Sequence, residues 1–137
     1  MSQLVILDNE AVQALGDPAH RNHRRVVSQA QVIADRKRRA VLIQVVVPTA
    51  VRVEAGWDRS SPAWAFPNRL RIADVPLDAA HANAAAAIRN RTRVSVADAH
   101  IGAVIGSASA EQITVVSSDA GDMRLVAGDR NVVIVGI

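Results

Sequence analysis

The sequence predicts an α/β fold in which a largely parallel sheet carries helices on both sides, and three observations predict it. Short apolar runs rich in β-branched residues, at 4–7, 41–47, 113–116 and 132–135, have the pattern of strands buried on both faces. Segments with helical spacing separate them, so successive strands need crossover connections, which are right-handed and leave the strands parallel. Half the residues are hydrophobic, yet the aromatics amount to two Trp and one Phe, so the core is built from Val, Ile, Leu and Ala, as in layered α/β packing. A chain of 137 residues suits one domain spanning 1–137.

In chain order, the first strand ends on Asp8, and 9–15 forms a short helix closed by the turn signal Gly16-Asp17-Pro18. A second helix is expected from 19 to about 39, with Val26, Val27, Ala30, Ile33 and Ala34 as its apolar stripe. Arg21, Arg24 and Arg25 lie at its start, and Arg36, Lys37, Arg38 and Arg39 at its finish complement the negative end of its dipole or contact a phosphate or partner. After the strand 41–47, Pro48-Thr49 opens a helix carrying Glu54, with Gly56 marking its end. A loop is expected at 60–67. It lies beside all the aromatics (Trp57, Trp64 and Phe66), a cluster suited to a partner surface or a small satellite core, with the partner surface favoured. An edge strand at 71–75 and an Ala-rich helix at 77–89 follow, then a basic loop with Arg89, Arg91 and Arg93. Ser95 opens a helix to about 110, and a short helix at 119–127 joins the last two strands.

Composition excludes several chemistries. Without cysteine there are no disulfides, iron–sulfur clusters or thiolate zinc sites. His20, His23, His81 and His100 show no HExxH or HxH spacing, so a bound metal takes oxygen ligands, as Mg²⁺ or Mn²⁺ does. No apolar run reaches membrane-spanning length and no signal-like N-terminus is present, so a soluble, cytoplasmic protein is expected. The formal charge of +3 is weak evidence for a nucleic-acid partner, although fifteen of the sixteen basic residues are Arg, whose guanidinium fork matches phosphate.

The acids carry the functional signal. Taken singly, Asp8 and Asp119 cap helices, Asp98 completes a capping box with Ser95, Asp122 is a first-turn acid, and Glu54 is solvated. Taken together, Asp8, Glu54 and Asp119 fall at or one turn beyond the carboxyl ends of parallel strands, where open α/β sheets place their sites, and Asp98 reaches the same rim. Four or five carboxylates on one rim repel one another unless a divalent cation binds among them.

Four stretches, in order, also resemble the acidic motifs of the PIN domain: Leu4–Asp8, Pro48-Thr49-Ala50-Val51-Arg52-Val53-Glu54, Ser95-Val96-Ala97-Asp98-Ala99-His100-Ile101, and Val115-Val116-Ser117-Ser118-Asp119-Ala120-Gly121-Asp122. By size and layout the chain is similar to the VapC-type toxins of bacterial toxin–antitoxin pairs, over nearly its whole length. The resemblance implies a three-layer α/β/α sandwich and a Mg²⁺- or Mn²⁺-dependent endoribonuclease that hydrolyses RNA phosphodiesters with metal-activated water. It also implies a homodimer and a cognate VapB-type antitoxin. It assigns Asp8, Glu54, Asp98 and Asp119 as the catalytic, metal-holding acids, Asp122 as a variable fifth, and Ser117 as a hydroxyl that bonds a carboxylate. Glu10 replaces the family's usual Ser or Thr, and either adds charge to the site or points to solvent. Arg21, Arg24, Arg25, Arg91 and Arg93 are the expected phosphate contacts. Two other readings stand beside this one: a doubly wound phosphatase or phosphotransferase with Asp8 as nucleophile, and a non-catalytic binding module whose acids only cap helices.

Overall fold

The computed structural model describes residues 2–38 and 42–137, with backbone alone for 34–38. Strand β1 (Ser2–Leu7) leads to helix α1 (Asn9–Gly16) and helix α2 (His23–Arg38). Strand β2 (Leu42–Pro48) leads to α3 (Thr49–Ala55), a 3-10 turn (Pro62–Trp64) and α4 (Ala65–Arg69). Then come β3 (Ile72–Val75), α5 (Ala79–Thr92), α6 (Val96–Ser107), β4 (Gln112–Ser117), α7 (Ala120–Ala127) and β5 (Val133–Gly136).

The five strands form one parallel sheet in the order β3-β2-β1-β4-β5. β1 is central: Val5 lies opposite Val45 on one side and Thr114 on the other, and Leu4 to Leu7 are all buried. Helices α1 to α4 associate with one another, and α5 to α7 form a second group, giving the three layers. The chain winds outward from β1 through β2 to β3, then crosses to β4, so the winding direction reverses at the β1–β4 boundary. A crevice opens there, beyond the carboxyl ends of the strands. The edge strand β3 is guarded by Arg59, whose guanidinium donates to the Ile72 carbonyl (2.8 Å) and pairs with Asp74 (2.9 Å).

Several sequence expectations change. The second helix begins at His23, four residues later than expected. The Asp17 carboxylate takes the Ala19 amide (2.9 Å) and His20 Nδ1 takes the Asn22 amide (3.0 Å), so turn bonds outcompete helix over 19–22. Pro48 ends β2 and stands at the N-cap of α3 rather than within its first turn. The expected loop at 60–67 contains the 3-10 turn and most of α4, with the Ser61 hydroxyl capping the turn. Helix α5 continues through Arg89 and Arg91 to Thr92, so the expected basic loop shrinks to Arg93, the left-handed C-cap (φ 62°), and Val94. The side chains of Ala34, Arg36, Lys37 and Arg38, and all of Arg39 and Val41, lie outside the described residues.

The aromatics form a satellite core rather than an open partner surface. Trp57 is buried, stacks on Trp64 with ring centroids 5.8 Å apart, and donates to Asn68 (2.8 Å). Arg59 covers the same indole at 4.4 Å, and only Phe66 of the three aromatics is exposed.

Gly102 in α6 lies where a Cβ would stand 2.8 Å from the Val126 carbonyl and 2.7 Å from the Ile88 side chain. Helix propensity favours Gly→Ala by about 1 kcal/mol, whereas overpacking against backbone costs roughly 1–3 kcal/mol. Gly102→Ala is therefore expected to lower stability in urea unfolding. Gly106→Ala, on the same helix with open space around it, is expected to raise it.

Candidate active site

Asp8 is the innermost acid. It leaves the central strand and is buried at 6% exposure. Its Oδ1 caps α1 by accepting from the Ala11 amide (2.8 Å), and its Oδ2 accepts from the Ser118 amide (3.3 Å) across the crevice. The Ser117 hydroxyl also bonds this carboxylate and accepts in turn from the Asp119 amide (2.9 Å). Burial pushes the Asp8 carboxyl above its ordinary range despite these bonds, and the charge of Glu10 adds to the rise.

Asp119 caps α7, accepting from the Asp122 amide at 3.0 Å. The Ser95 hydroxyl caps α6 by accepting from the Asp98 amide (3.1 Å). No return bond from the Asp98 carboxylate to the Ser95 amide accompanies it, so only half of the expected capping box forms and that carboxylate stays available to the crevice. Glu54 is exposed on α3 and accepts from the Asn9 side chain (3.2 Å), which ties it to the first residue of α1.

These acids sense one another. The Asp98 carboxyl is pushed up to about 6, first by burial and then by the charges of Asp122, Glu54, Asp8 and Asp119. Asp122 is also raised, by burial and by Asp119, while a hydrogen bond from Asp98 lowers it. In that bond Asp98 is the donor and Asp122 the accepting carboxylate. Among the described residues, no three His, Asp or Glu side chains stand close enough to hold an ion as they are placed. The crevice concentrates negative charge from α3, α6, α7 and the end of β1 without closing it into a ligand cage.

Other residues fall at varied distances from this centre. Glu10 is held by His20, with Nε2 and Oε1 2.7 Å apart. Because Nδ1 of that ring accepts from the Asn22 amide, Nε2 carries the proton and donates to Glu10. Arg21, next to His20, and Arg24 and Arg25 in the first turn of α2 are exposed. Arg91 and Arg93 are exposed where α5 turns toward the start of α6.

Sequence reasoning missed Asn9 and His100. His100 is fully buried on α6, and its Nδ1 accepts from the Ala50 amide (3.3 Å), supplying the α3 N-terminus with the acceptor that Pro48 lacks. It thereby fixes α3, with Glu54, against α6, with Asp98. Burial holds this imidazole below its ordinary range, reinforced by His81 and opposed by the Pro76 carbonyl. Its Nε2 has no hydrogen bond of good geometry, so the Pro76 interaction is weak.

No protein-family model and no curated protein matches the chain. Solved structures do. FitAcB from Neisseria gonorrhoeae is similar over 96% of this chain and 96% of its own, with a TM-score of 0.56 and 17% identity. The fold is PIN-like. A second similar structure, FitAB bound to an IR36 DNA fragment, has a TM-score of 0.53 and 17% identity over 96% of this chain and 94% of that one. In this PIN-like fold the candidate acids sit at the reversal between β1 and β4. Among the described residues, no helix is long and apolar enough to cross a membrane.

A raised carboxyl pKa means that the folded state binds a proton the unfolded chain has released. Without metal, the stability owed to protonated Asp98 is therefore lost as pH rises from the ordinary carboxylate value, about 4, through about 6. Asp98→Asn is expected to flatten that decline. At pH 7 it should raise stability by on the order of 1 kcal/mol, solvent screening at this half-exposed group reducing the effect of the shift. Urea unfolding of both proteins at pH 4.5, 6 and 7.5 measures it.

Proposed function

We propose that the protein is a divalent-metal-dependent endoribonuclease, the toxin of a toxin–antitoxin pair. The observation that carries this reading is the gathering of five acids at the sheet's reversal point, where burial first and then the charges of the other four push the Asp98 carboxyl up to about 6. Such charge opposes folding and finds its natural relief in a cation. The donor set is all carboxylate, which suits Mg²⁺ or Mn²⁺. Asp8, Glu54, Asp98 and Asp119 would hold the ion once drawn together by it, with Asp122 adding charge or a further oxygen. Bound there, a divalent cation supplies a Lewis acid for the phosphodiester and a means of activating water at neutral pH.

The chain's own groups prepare the site. Ala11, Ser117 and Ser118 orient Asp8, so this acid needs no reorganisation. Asp98, Asp119 and Asp122 are less buried and can turn inward when Asp98 releases its proton. Asn9 and His100 hold Glu54 on the near side. Arg21, Arg24, Arg25, Arg91 and Arg93 would position RNA through its phosphates, without reading bases. The phosphatase alternative is weakened because such enzymes need a well-placed lysine, and the single lysine of the sequence, Lys37, stands among arginines with no neighbouring motif.

An antitoxin partner and a homodimer are proposed from the family resemblance. The FitAB assembly, which is bound to DNA, is consistent with that kind of complex. Between α2, the sheet and the α4–β3 segment lies an apolar cleft of about 260 Å³, lined by Leu15, Val26, Ile33, Leu70 and Ile72 and by Leu7 next to Asp8. It offers a partner an apolar seat near the acids.

The test is cleavage of total cellular RNA by the purified protein in EDTA, Mg²⁺ or Mn²⁺. Discrete metal-dependent products are expected, reduced on the order of 10²-fold or more in Asp98→Asn, the scale of losing one electrostatic stabiliser. Absence of cleavage together with absence of metal-induced thermal stabilisation would leave a binding module whose acids only cap helices.

A further inference from the structure

A second set of reactive side chains lies well away from the acids, at the other end of α6. Asp98 and Ser107 are nine residues apart on that helix, about 14 Å at 1.5 Å per residue. Ser107 closes α6 and is exposed. His81, in the first turn of α5, places Nε2 3.1 Å from the Ser107 hydroxyl. Its Nδ1 lies 2.9 Å from Asp78 Oδ1, the N-cap of the same helix, and that oxygen also accepts from the His81 amide (2.8 Å). The two bonds hold the Asp78 carboxyl below its ordinary range. An Asp on Nδ1 selects the tautomer with Nε2 free to accept, the order of roles that activates a serine hydroxyl.

The surroundings suit a small ligand. His81 and Ser107 line a pocket of about 490 Å³ whose floor includes Leu4, Ile43 and Val104 and whose edge carries Gln44 and Ser109. The His81 side chain is 18% exposed, and its ring packs edge-on against buried His100, with centroids 5.9 Å apart. These contacts fix the imidazole. The Ser107 hydroxyl has a competing acceptor in the Val104 carbonyl at 3.2 Å, the ordinary destination of a serine proton near a helix end.

The geometry points to Asp78, His81 and Ser107 as a second reactive site, with Ser107 as an acyl-accepting nucleophile for small activated esters. Ser107 Oγ attacks the ester carbonyl carbon while its proton passes to His81 Nε2. The ester C–O bond breaks, and the leaving alcohol or phenol takes that proton. Water then attacks the acyl-serine with His81 again as base, releasing the carboxylic acid and restoring the hydroxyl. Ser107 lies at the negative end of α6, and no amide donor is bonded at the nucleophile to receive an oxyanion. The substrates are therefore those with good leaving groups, such as aryl esters, which depend least on such donors; their loss costs about 10²–10³ in rate elsewhere.

The test exposes the whole chain to p-nitrophenyl acetate and to a fluorophosphonate probe and maps modified residues by mass spectrometry. Labelling concentrated at Ser107 is expected, absent in Ser107→Ala and at least ten-fold slower in His81→Gln and Asp78→Asn. Thermal melting of each variant separates loss of reactivity from loss of fold. RNA cleavage by Ser107→Ala should match the parent, since the two sites share no residue. No adduct at Ser107, or an adduct formed equally fast in a folded His81→Gln variant, would overturn the assignment.

Discussion

Like charge gathered at one end of a buried parallel sheet is the constraint on which the rest depends. Asp8 leaves the central strand where both neighbouring strands also end, so its carboxylate is buried whatever else happens. A buried carboxylate needs donors, and the chain supplies them from two directions: Ala11 from the following helix, and Ser117 and Ser118 from β4. The same bonds that make Asp8 tolerable also bring Asp119 and Asp122 to it, because they follow directly in the sequence. Helix α6 then starts beside them and adds Asp98. The burden falls on Asp98, which holds a proton to about pH 6.

Two neutral side chains keep this arrangement from spreading apart. Asn9 ties Glu54 to the start of α1, and His100 supplies an acceptor to α3 that proline at its N-cap does not. Both lie within two residues of an acid in sequence, Asn9 after Asp8 and His100 after Asp98. A helix cap and a proposed ligand position thus coincide at Asp8 and Asp119, because a strand end, a helix start and a sheet reversal fall at one place. Under the proposed function, capping and metal holding would be successive uses of the same oxygens rather than rival explanations.

The fold was legible where apolar runs were uninterrupted. Four of the five strands follow from β-branched runs, the edge strand β3 from a shorter mixed stretch, and the acids Asp8 and Asp119 from the turns out of the sheet. Features set by single hydrogen bonds between polar side chains and backbone were not legible. Helix α2 starts late because Asp17 and His20 capture amides locally, and the stretch after Ser61 folds because that hydroxyl caps it. The aromatic cluster read as a surface because spacing does not reveal that Arg59 lies over Trp57 or that Asn68 takes its N–H. His100 gave no signal, since one histidine in an apolar helix has no distinctive spacing. Whether Glu10 faces the acids or solvent was open in the sequence, and its partner His20 lies ten residues on, across a turn.

Direct evidence for the cation site comes from Mn²⁺ added in substoichiometric steps to isotopically labelled, metal-free protein, followed by amide NMR. Selective broadening of Asp8, Asp98, Asp119 and Asp122, fading toward the amino ends of the strands and the far end of α6, is the expected result. Uniform weak broadening, or broadening centred elsewhere, would contradict the metal site and leave the acids as helix caps alone.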